Sequence, residues 1–405
     1  MSSYTPRQAI AQENGIVWFP VSFMRGGTST GLVIDEQHAP TDVALREELL
    51  RLLMGVPQVG ELPGNRQITG LGRGPATSNK VFFVTAEPGR EGRPRLVTTL
   101  AQLAANHARI DWSVNCGNMS SALPLWALHA GLAEGVSGDF EIELFNTNTG
   151  VLTTGRVLRE EGDRLAMVEI PGVPGSHPGV DLYLHDPVGA KTGALLPTGN
   201  IVDEILGVEV SCVDVAVPMV IIDARAFGKT ATEPVSELEA DTRFLEALKA
   251  VWVEAGLRMR LAKRDGTLMS RDEVGLSETV PKVCIIGPPK QGGHLSVRYF
   301  TPQTAHASMA VSGGCCLAAA TLIPGTVASR IAPAEPKVGP AYKEFTIGME
   351  NPAGTLEAMV VAREDNGCLA VQSVAYRRSA QMLHQGHVPL YSASPDLVTA
   401  LRALG

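Results

Sequence analysis

The sequence predicts a mixed α+β protein built from two similar domains. Three observations support this fold class: a length of 405 residues, many short runs rich in Val, Ile and Phe, and a glycine-containing turn that opens a helix twice. One hydrophobic core rarely serves a chain of this length, so two domains of roughly 150 to 200 residues are expected. The two turns lie about half a chain apart, which indicates an internal duplication.

The short apolar runs are typical of β-strands, because β-branched and aromatic residues favour the pleated backbone and Gly or Pro stands nearby. Fewer segments have helical periodicity. We predict strands at Ile16–Ser22, Lys80–Thr85, Phe140–Phe145, Ala166–Ile170, Cys212–Ile222, Lys282–Ile286, Leu295–Tyr299 and Leu356–Arg363. We predict helices at Ala44–Met54, Ser120–Ala133, Glu237–Ala255 and Cys316–Ile323.

The stretch from Pro174 to Gly199 is rich in Gly and Pro and lacks strong periodicity, so we expect the chain to cross between domains there. The expected domains are residues 1–185 and 186–380. The remaining residues, 381–405, are expected to form a C-terminal tail that packs back on the first domain.

Charge and composition exclude several classes of protein. A net charge of −8 without a long basic run argues against nucleic acid as a partner, although local cations and helix N-termini could still bind a small anion. No segment has the roughly 18 to 20 apolar residues of a membrane helix. Because Met1–Gln12 also lacks the order of a secretory signal, we expect a cytoplasmic protein. Six cysteines without a CxxC pair predict reduced thiols, and no metal-ligand spacing is present.

Cys116 is the first candidate for chemistry. It lies in the segment Asn115-Cys116-Gly117-Asn118, directly before a predicted helix, where the helix dipole and free backbone N–H groups favour a thiolate. Gly117 would let a ligand approach the backbone closely, and Asn118 could donate a hydrogen bond to a carboxylate. The alternative is a small thiol that simply packs in the interior, as free cysteines usually do.

Two further segments combine glycine with charged or polar side chains. Lys80 follows Thr77-Ser78-Asn79 and opens an apolar strand, so its amine could project into a cleft, although most lysines at such positions are merely solvated. The segment Met24-Arg25-Gly26-Gly27-Thr28-Ser29 follows a strand and could form a nest of N–H groups for a carboxylate, with Arg25 as its partner. An ordinary tight turn is the alternative reading of this segment.

The second glycine turn, Ser312-Gly313-Gly314, has polar neighbours as well. Arg298 lies on the preceding predicted strand, and His306 and Met309 lie just before the turn. Either cation could hold a substrate carboxylate, although a surface arginine and a hydrogen-bonded structural histidine are commoner.

Taken together, these segments resemble the PrpF family of isomerases, which are relatives of diaminopimelate epimerase. The resemblance covers most of the chain, because several separate blocks occur in the family's order. These blocks are Phe23-Met24-Arg25-Gly26-Gly27-Thr28-Ser29, Gln67-Ile68-Thr69-Gly70-Leu71-Gly72, Thr77-Ser78-Asn79-Lys80-Val81, Cys116-Gly117-Asn118, Pro281-Lys282-Val283, Val311–Ala320, Ile323-Pro324-Gly325-Thr326 and Asn351-Pro352-Ala353-Gly354.

The resemblance implies two similar domains, each a mixed β-barrel-like sheet around a central helix, with the active site between them. It implies a cofactor-independent enzyme, mildly favours a dimer, and implies substrates such as 2-methylaconitate, 4-oxalomesaconate or methylitaconate. Cys116 and Lys80 match the family's acid–base residues. The candidate substrate-binding residues are Arg25, Gly26, Gly27, Thr28, Ser29, Gly117, Asn118, Arg298, His306, Met309, Ser312, Gly313 and Gly314.

Two other functions are compatible with the same residues. A two-cysteine racemase or epimerase of an amino or imino acid would pair Cys116 with Cys315 or Cys316. In the racemising relatives the second cysteine precedes a glycine, whereas Ser312 stands roughly at that position here, which favours the isomerase. A non-catalytic polycarboxylate-binding protein would use the same cleft without chemistry.

Overall fold

The computed structural model describes residues 9–74, 78–113, 115–263, 265–332 and 337–404, and for Glu91 it describes the backbone alone. The predictions for the first eight residues and for Thr77 therefore lie outside the described residues. The chain divides into two compact units. Unit 1 comprises Met1–Glu169, Val173–Leu182 and Arg378–Gly405, and unit 2 comprises Ile170–Gly172 and Tyr183–Arg377.

The described residues form a mixture of strands and helices in which strands predominate. The strands of the first half are β1 (Ala11–Glu13), β2 (Ile16–Gly26), β3 (Ser29–Asp35), β4 (Lys80–Pro88), β5 (Pro94–Ala104), β6 (His107–Asp111), β7 (Phe140–Asn146), β8 (Val151–Val157), β9 (Met167–Ile170) and β10 (Val173–His185). Those of the second half are β11 (Asp203–Ile205), β12 (Val208–Val215), β13 (Val217–Asp223), β14 (Lys282–Gly287), β15 (Leu295–Thr301), β16 (Thr304–Ala305), β17 (Lys343–Asn351), β18 (Gly354–Asp365) and β19 (Cys368–Pro389).

The helices separate groups of strands. They are α1 (Val43–Met54), α2 (Gly117–Ser120), α3 (Ala122–His129), α4 (Val235–Ala240), α5 (Thr242–Arg258), α6 (Arg271–Leu276), α7 (Val311–Thr321), α8 (Val327–Ile331) and α9 (Pro395–Arg402). Within the described ranges, none of these helices has both the length and the apolar character needed to cross a membrane.

The strand pairing repeats between the two halves of the chain. In unit 1, β2 pairs antiparallel with β3, β3 parallel with β4, β4 antiparallel with β5, and β5 parallel with β7. In unit 2, β12, β13, β14, β15 and β17 pair in the same order with the same orientations. The helices α2 and α3 precede β7, and α7 and α8 precede β17. The predicted mixed α+β fold with an internal duplication is therefore confirmed.

The pairing in unit 1 closes into a barrel. The strand β7 pairs with β8, β10 pairs with both β8 and β19, and β19 pairs with β2 at the start of the ring. One face of the wall packs against α1 and α9 through side chains such as Leu32, Phe83, Leu50 and Leu397. The opposite face packs against α2 and α3, where the Trp126 indole donates to the Ser22 hydroxyl at 3.2 Å.

The central helix of unit 2, α7, is buried from Gly313 to Thr321. Small residues make this burial feasible, because a Cβ atom on Gly313 would lie 2.3 Å from the Tyr299 ring and one on Gly314 would lie 2.8 Å from Leu356. The Ser312-Gly313-Gly314 segment, predicted as a turn, is thus part of the first turn of α7. Its glycines serve helix packing.

Two predicted elements are each divided in the structure. The run Cys212–Ile222 is a hairpin, in which Ala216, at φ 62°, separates β12 from β13. The run Glu237–Ala255 covers α4 and α5, because Asp241 interrupts the helix and caps α5 by accepting the backbone N–H of Phe244. The crossing segment predicted to start at Pro174 begins instead with the regular strand β10.

Candidate active site

Cys116 forms the N-cap of α2. Its backbone is extended, at φ −133° and ψ 101°, and its Sγ accepts the backbone N–H of Met119 at 3.5 Å. The Asn115 Oδ1 atom accepts the Cys116 N–H at 2.7 Å and the Ser120 hydroxyl at 3.3 Å, which fixes the turn before the helix. Cys116 is half-buried, so the sulfur is held by backbone groups and still reachable by a ligand.

The turn between β2 and β3 packs directly on this helix start. The Ser29 Oγ lies 3.8 Å from the Cys116 Sγ, within hydrogen-bond distance for sulfur. Ser29 pairs with Gly26 across the turn. A Cβ atom on Gly26 would lie 2.4 Å from the Asn118 carbonyl oxygen and 2.9 Å from that of Met119. Glycine is therefore required at this position, because only glycine lets β2 approach α2, the helix that Cys116 caps.

A chain of polar side chains holds Asn118. Its Nδ2 donates to the Thr28 hydroxyl at 3.1 Å, and its Oδ1 accepts from the Nε of Arg378 at 3.0 Å. The Gly27 backbone, at φ 52°, brings the turn within reach, because a Cβ atom there would lie 2.5 Å from the Asn118 Oδ1. Arg378 is a buried cation of β19 that sequence reasoning missed.

Lys80 lies on the same face of the barrel wall as Ser29. It is the first residue of β4 and pairs with Gly31 of β3. Ser29 and Gly31 are two residues apart on one strand, so their side-chain directions, and that of Lys80, point to the same face. The Lys80 side chain is buried, and its Nζ donates to the Gln102 Oε1 at 2.6 Å. Because Ser29 contacts Cys116, the amine and the thiol share one face within unit 1.

The Arg25 side chain points to the opposite face from Gly26, and its guanidinium group forms hydrogen bonds with backbone carbonyls. Its Nη1 donates to the carbonyl oxygens of Gly27, at 2.9 Å, and Ser379, at 3.1 Å. Burial lowers the pKa of Arg25, and its Nη2 is buried without a hydrogen-bond partner among the described residues. Arg25 thus ties β2 to β19, whereas Arg378 is the arginine that contacts Asn118.

The sequence-predicted residues of unit 2 divide into two groups. Arg298 is half-buried and donates to the backbone carbonyls of Glu233, at 2.6 Å, and Val297, at 2.9 Å. Met309 is buried, and the Gly314 N–H donates to the Ala310 carbonyl at 2.9 Å inside α7. In this first group, the polar groups of Arg298 and Gly314 form hydrogen bonds within the protein, and Met309 packs in its interior.

His306 belongs to the second group, in which a polar atom stays available. Its Nδ1 accepts the backbone N–H of Ser308 at 2.9 Å, so the neutral ring carries its proton on Nε2. Burial and the charge of Lys282 lower the pKa of His306, which favours that neutral form. Ser312 is the second residue of α7 and is half-buried.

Cys315 and Cys316 are fully buried in unit 2. Their thiols donate to the backbone carbonyls of Ala375, at 3.7 Å, and Val213, at 3.4 Å. Burial raises the pKa of Cys316 well above its usual range, which disfavours a thiolate there. Both cysteines therefore have the properties of core residues. Across the described part of the chain, no group of three or more His, Cys, Asp or Glu side chains could hold a metal ion.

Known proteins resemble the chain along most of its length. The family model described as PrpF protein matches residues 16–391. A 4-oxalomesaconate tautomerase of Pseudomonas putida is 32% identical over 373 residues, covering 91% of this chain and 95% of that protein. A (4E)-oxalomesaconate Delta-isomerase of Novosphingobium sp. is 32% identical over 377 residues, covering 91% of this chain and 96% of that protein.

The fold also matches a solved structure. The crystal structure of a methylitaconate-delta-isomerase aligns with a TM-score of 0.77 at 24% identity, covering 95% of this chain and 97% of that chain. This likeness shows the fold, and the sequence matches show the family. The protein is therefore an isomerase, and it belongs to the PrpF family.

Proposed function

We propose that this isomerase moves a proton within a small unsaturated polycarboxylic acid, with Cys116 and Lys80 as its acid–base residues. The observation that carries the proposal is the placement of a half-buried thiol at a helix cap, 3.8 Å from Ser29, on the face that Lys80 shares. The substrate class comes from the relatives, which are named for oxalomesaconate and methylitaconate. A substrate of the 2-methylaconitate type also fits, since a 26% identical relative is named for it.

Shifting a double bond in such an acid, or interconverting its keto and enol forms, needs two proton transfers. One group removes a proton from a carbon next to a carboxylate or keto group, and the electron pair of the broken C–H bond delocalises into a dienolate. A second group returns a proton to a conjugated carbon. A thiol and an amine can each accept or donate a proton, so the same pair serves both directions with its roles exchanged.

The dienolate places additional negative charge on a molecule that is already anionic. The first N–H groups of α2, on Gly117 and Asn118, have no acceptor within the helix and can donate to a developing oxyanion. The Asn118 side chain is held in place by Thr28 and by Arg378, which also contributes a positive charge. Donors that are fixed before the reaction stabilise the intermediate without reorganising.

The burial of Cys315 and Cys316 favours this proposal over a two-cysteine racemase. A racemase pair requires a second thiol that reaches the substrate, whereas these two thiols donate to backbone carbonyls in a core. Replacing both by alanine should leave turnover in place if the protein still folds. A racemase would lose almost all turnover.

Deuterium incorporation tests the proposal directly. The purified protein is incubated in D₂O with a panel of acids of the 2-methylaconitate, 4-oxalomesaconate and 3-methylitaconate types, and proton NMR follows each C–H signal. We expect exchange and formation of an isomer for at least one acid, and neither for the Cys116→Ala variant. Thermal stabilisation by these acids without any exchange would instead identify a binding protein.

A further inference from the structure

Two buried amide side chains, Gln67 and Asn79, have no role in the proposed chemistry. Gln67 is 2% exposed and Asn79 is fully buried. Gln67 lies in the segment between α1 and β4, whereas Asn79 is the residue directly before Lys80, which opens β4. A buried amide is unfavourable unless its donors and its acceptor find partners, so the contacts of these two residues show what they hold in place.

The two amides bond to each other and to the backbone around them. The Gln67 Nε2 donates to the Asn79 Oδ1 at 2.7 Å and to the carbonyl of Met54, the last residue of α1, at 2.8 Å. The Gly74 N–H donates to the Gln67 Oε1 at 2.7 Å, and the Gly74 carbonyl accepts from the Asn79 Nδ2 at 3.1 Å. This amide pair, Gln67 and Asn79, therefore joins the end of α1, the backbone at Gly74 and the residue before β4.

The backbone around the amide pair is strained and tightly packed. Gln67 has φ 54°, in the left-handed region that residues with a Cβ atom rarely adopt. A Cβ atom on Gly72 would lie 1.8 Å from the Gln67 Nε2 and 2.4 Å from the Asn79 Oδ1, so the amides leave no room for a side chain there. Strained residues persist only where the surrounding contacts hold them, and they cluster at active sites. The strain at Gln67 therefore points to a functional role for the pair.

Asn79 connects the amide pair to the strand contacts of Lys80. Its carbonyl accepts the Leu103 N–H at 2.9 Å, next to the position where Lys80 pairs with Gln102. Gln102 is also the residue whose Oε1 accepts from the Lys80 Nζ at 2.6 Å. The backbone of Asn79 is thus held by β5 and its side chain by Gln67, so the strand that carries Lys80 starts from a fixed point.

We propose that Gln67 and Asn79 are positioning residues that fix the start of β4 and, through it, the reach of the Lys80 amine to the substrate. This inference rests on the proposed acid–base role of Lys80. Neither amide needs to touch the substrate, because both act through the backbone that carries the lysine. The alternative is that the amide pair only supports the segment between α1 and β4.

Backbone hydrogen–deuterium exchange, followed by mass spectrometry, tests the position of β4 without any substrate. The comparison uses the full-length wild type, Gln67→Met, which keeps the side-chain length without its hydrogen bonds, and Asn79→Ala, which breaks the same bond from its other end. Losing a buried hydrogen bond should speed the exchange of residues 80–84 by about tenfold in both variants. Unchanged exchange there, or faster exchange confined to residues 65–74, would overturn the proposal.

Steady-state kinetics on the acid found by the deuterium panel is the second measurement, at a temperature well below the unfolding transition of each variant. A displacement of about 1 Å at a reacting group costs about 100-fold in rate, so kcat of both single variants should fall by about 10- to 100-fold with KM unchanged. The double variant should lose no more than the larger single loss, because both residues act through one bond. A folded single variant with wild-type kcat, or losses that multiply in the double variant, would contradict the proposal.

Gln303→Met is the matched control. The Gln303 Nε2 also donates to two backbone carbonyls, those of Gly275 at 2.9 Å and Ser277 at 2.8 Å, but in unit 2. This variant should change neither the exchange of residues 80–84 nor kcat, and effects as large as those of Gln67→Met would refute a specific role for the amide pair.

Failure of the proposed function has a different signature. In that case Lys80→Met would exchange substrate hydrogen like the wild type, whereas the Gln67 and Asn79 variants would still speed backbone exchange in β4. The amide pair would then still fix the start of β4, and the acid–base role of Lys80 would be wrong.

Discussion

Gly26 lies where strand β2 meets the backbone of α2, so replacing it by alanine tests whether this contact positions Cys116. The new Cβ atom would lie 2.4 Å from the carbonyl oxygen of Asn118. The shortest ordinary contact between carbon and a carbonyl oxygen is about 3.3 Å, so the two backbones must separate by about 0.9 Å. Rotating a side chain cannot relieve the clash, because the oxygen belongs to the backbone and the position of a Cβ atom is fixed by its own backbone.

Two measurements report this displacement. Overpacking of a tight contact costs about 1–3 kcal/mol of unfolding free energy, which chemical denaturation measures. A displacement near 1 Å at a reacting group costs about 100-fold in rate, which steady-state kinetics on the substrate found by deuterium exchange measures. We therefore expect Gly26→Ala to fold with reduced stability and to lose about 100-fold in kcat.

Gly339→Ala is the matched control, because nothing lies within 4 Å of a Cβ atom at Gly339. It should change neither stability nor kcat. If Gly26→Ala loses stability but keeps its kcat, the contact only supports the fold and does not position the thiol. If Gly26→Ala changes neither quantity, the close approach of β2 to α2 is wrong.

Three other substitutions remove hydrogen-bonding groups, two of them at the candidate site and one in unit 2. Ser29→Ala removes the hydroxyl 3.8 Å from the Cys116 sulfur, and we expect kcat to fall by up to about tenfold with KM unchanged; an unchanged kcat would contradict this. Gln102→Leu removes the acceptor of the Lys80 amine, so kcat should again fall by up to about tenfold, whereas a change in KM alone would argue against positioning. Burial acts to raise the pKa of Glu350, but hydrogen bonds from neighbouring N–H groups and a hydroxyl lower it overall. This carboxylate therefore contributes stability above its unfolded pKa of about 4.3, and that stability is lost as the pH falls through the lower folded value. Glu350→Gln should be less stable at neutral pH and lose less stability on acidification, as denaturation at several pH values would show.

Local patterns in the sequence predicted the elements that a single apolar pattern marks. The apolar period of Ala44–Met54 matches α1, and the run from Lys80 matches β4. In contrast, β19 extends over Cys368–Pro389 and contains residues of both units, so no single apolar pattern marks it. Pro174 and Gly179 suggested an irregular crossing, yet both lie within β10. Strand pairing with distant segments overrides their low strand propensity there.

The same distinction explains which contacts of the candidate site could be predicted from the sequence. The Cys116 turn and the helix that follows it are adjacent in the sequence, so the position of Cys116 before a helix could be predicted. Arg378 and Asn118 are 260 residues apart in the sequence, and no motif around Arg378 predicts their contact. The orientation of Arg25 could have been predicted, because strand alternation places it opposite Gly26. The packing role of Gly313 and Gly314 could not be predicted, because it depends on Tyr299 and Leu356, which are distant in the sequence.

The central claim is that one thiol and one amine in unit 1 transfer the substrate proton. The most direct test is the rate of deuterium incorporation into the accepted acid by Cys116→Ala, Lys80→Met and, as control, Cys368→Ala, which removes an exposed thiol. A positioned acid or base contributes about 100- to 10,000-fold, so we predict losses of that size for the first two variants and none for the third. Wild-type exchange by either Cys116→Ala or Lys80→Met would contradict the account.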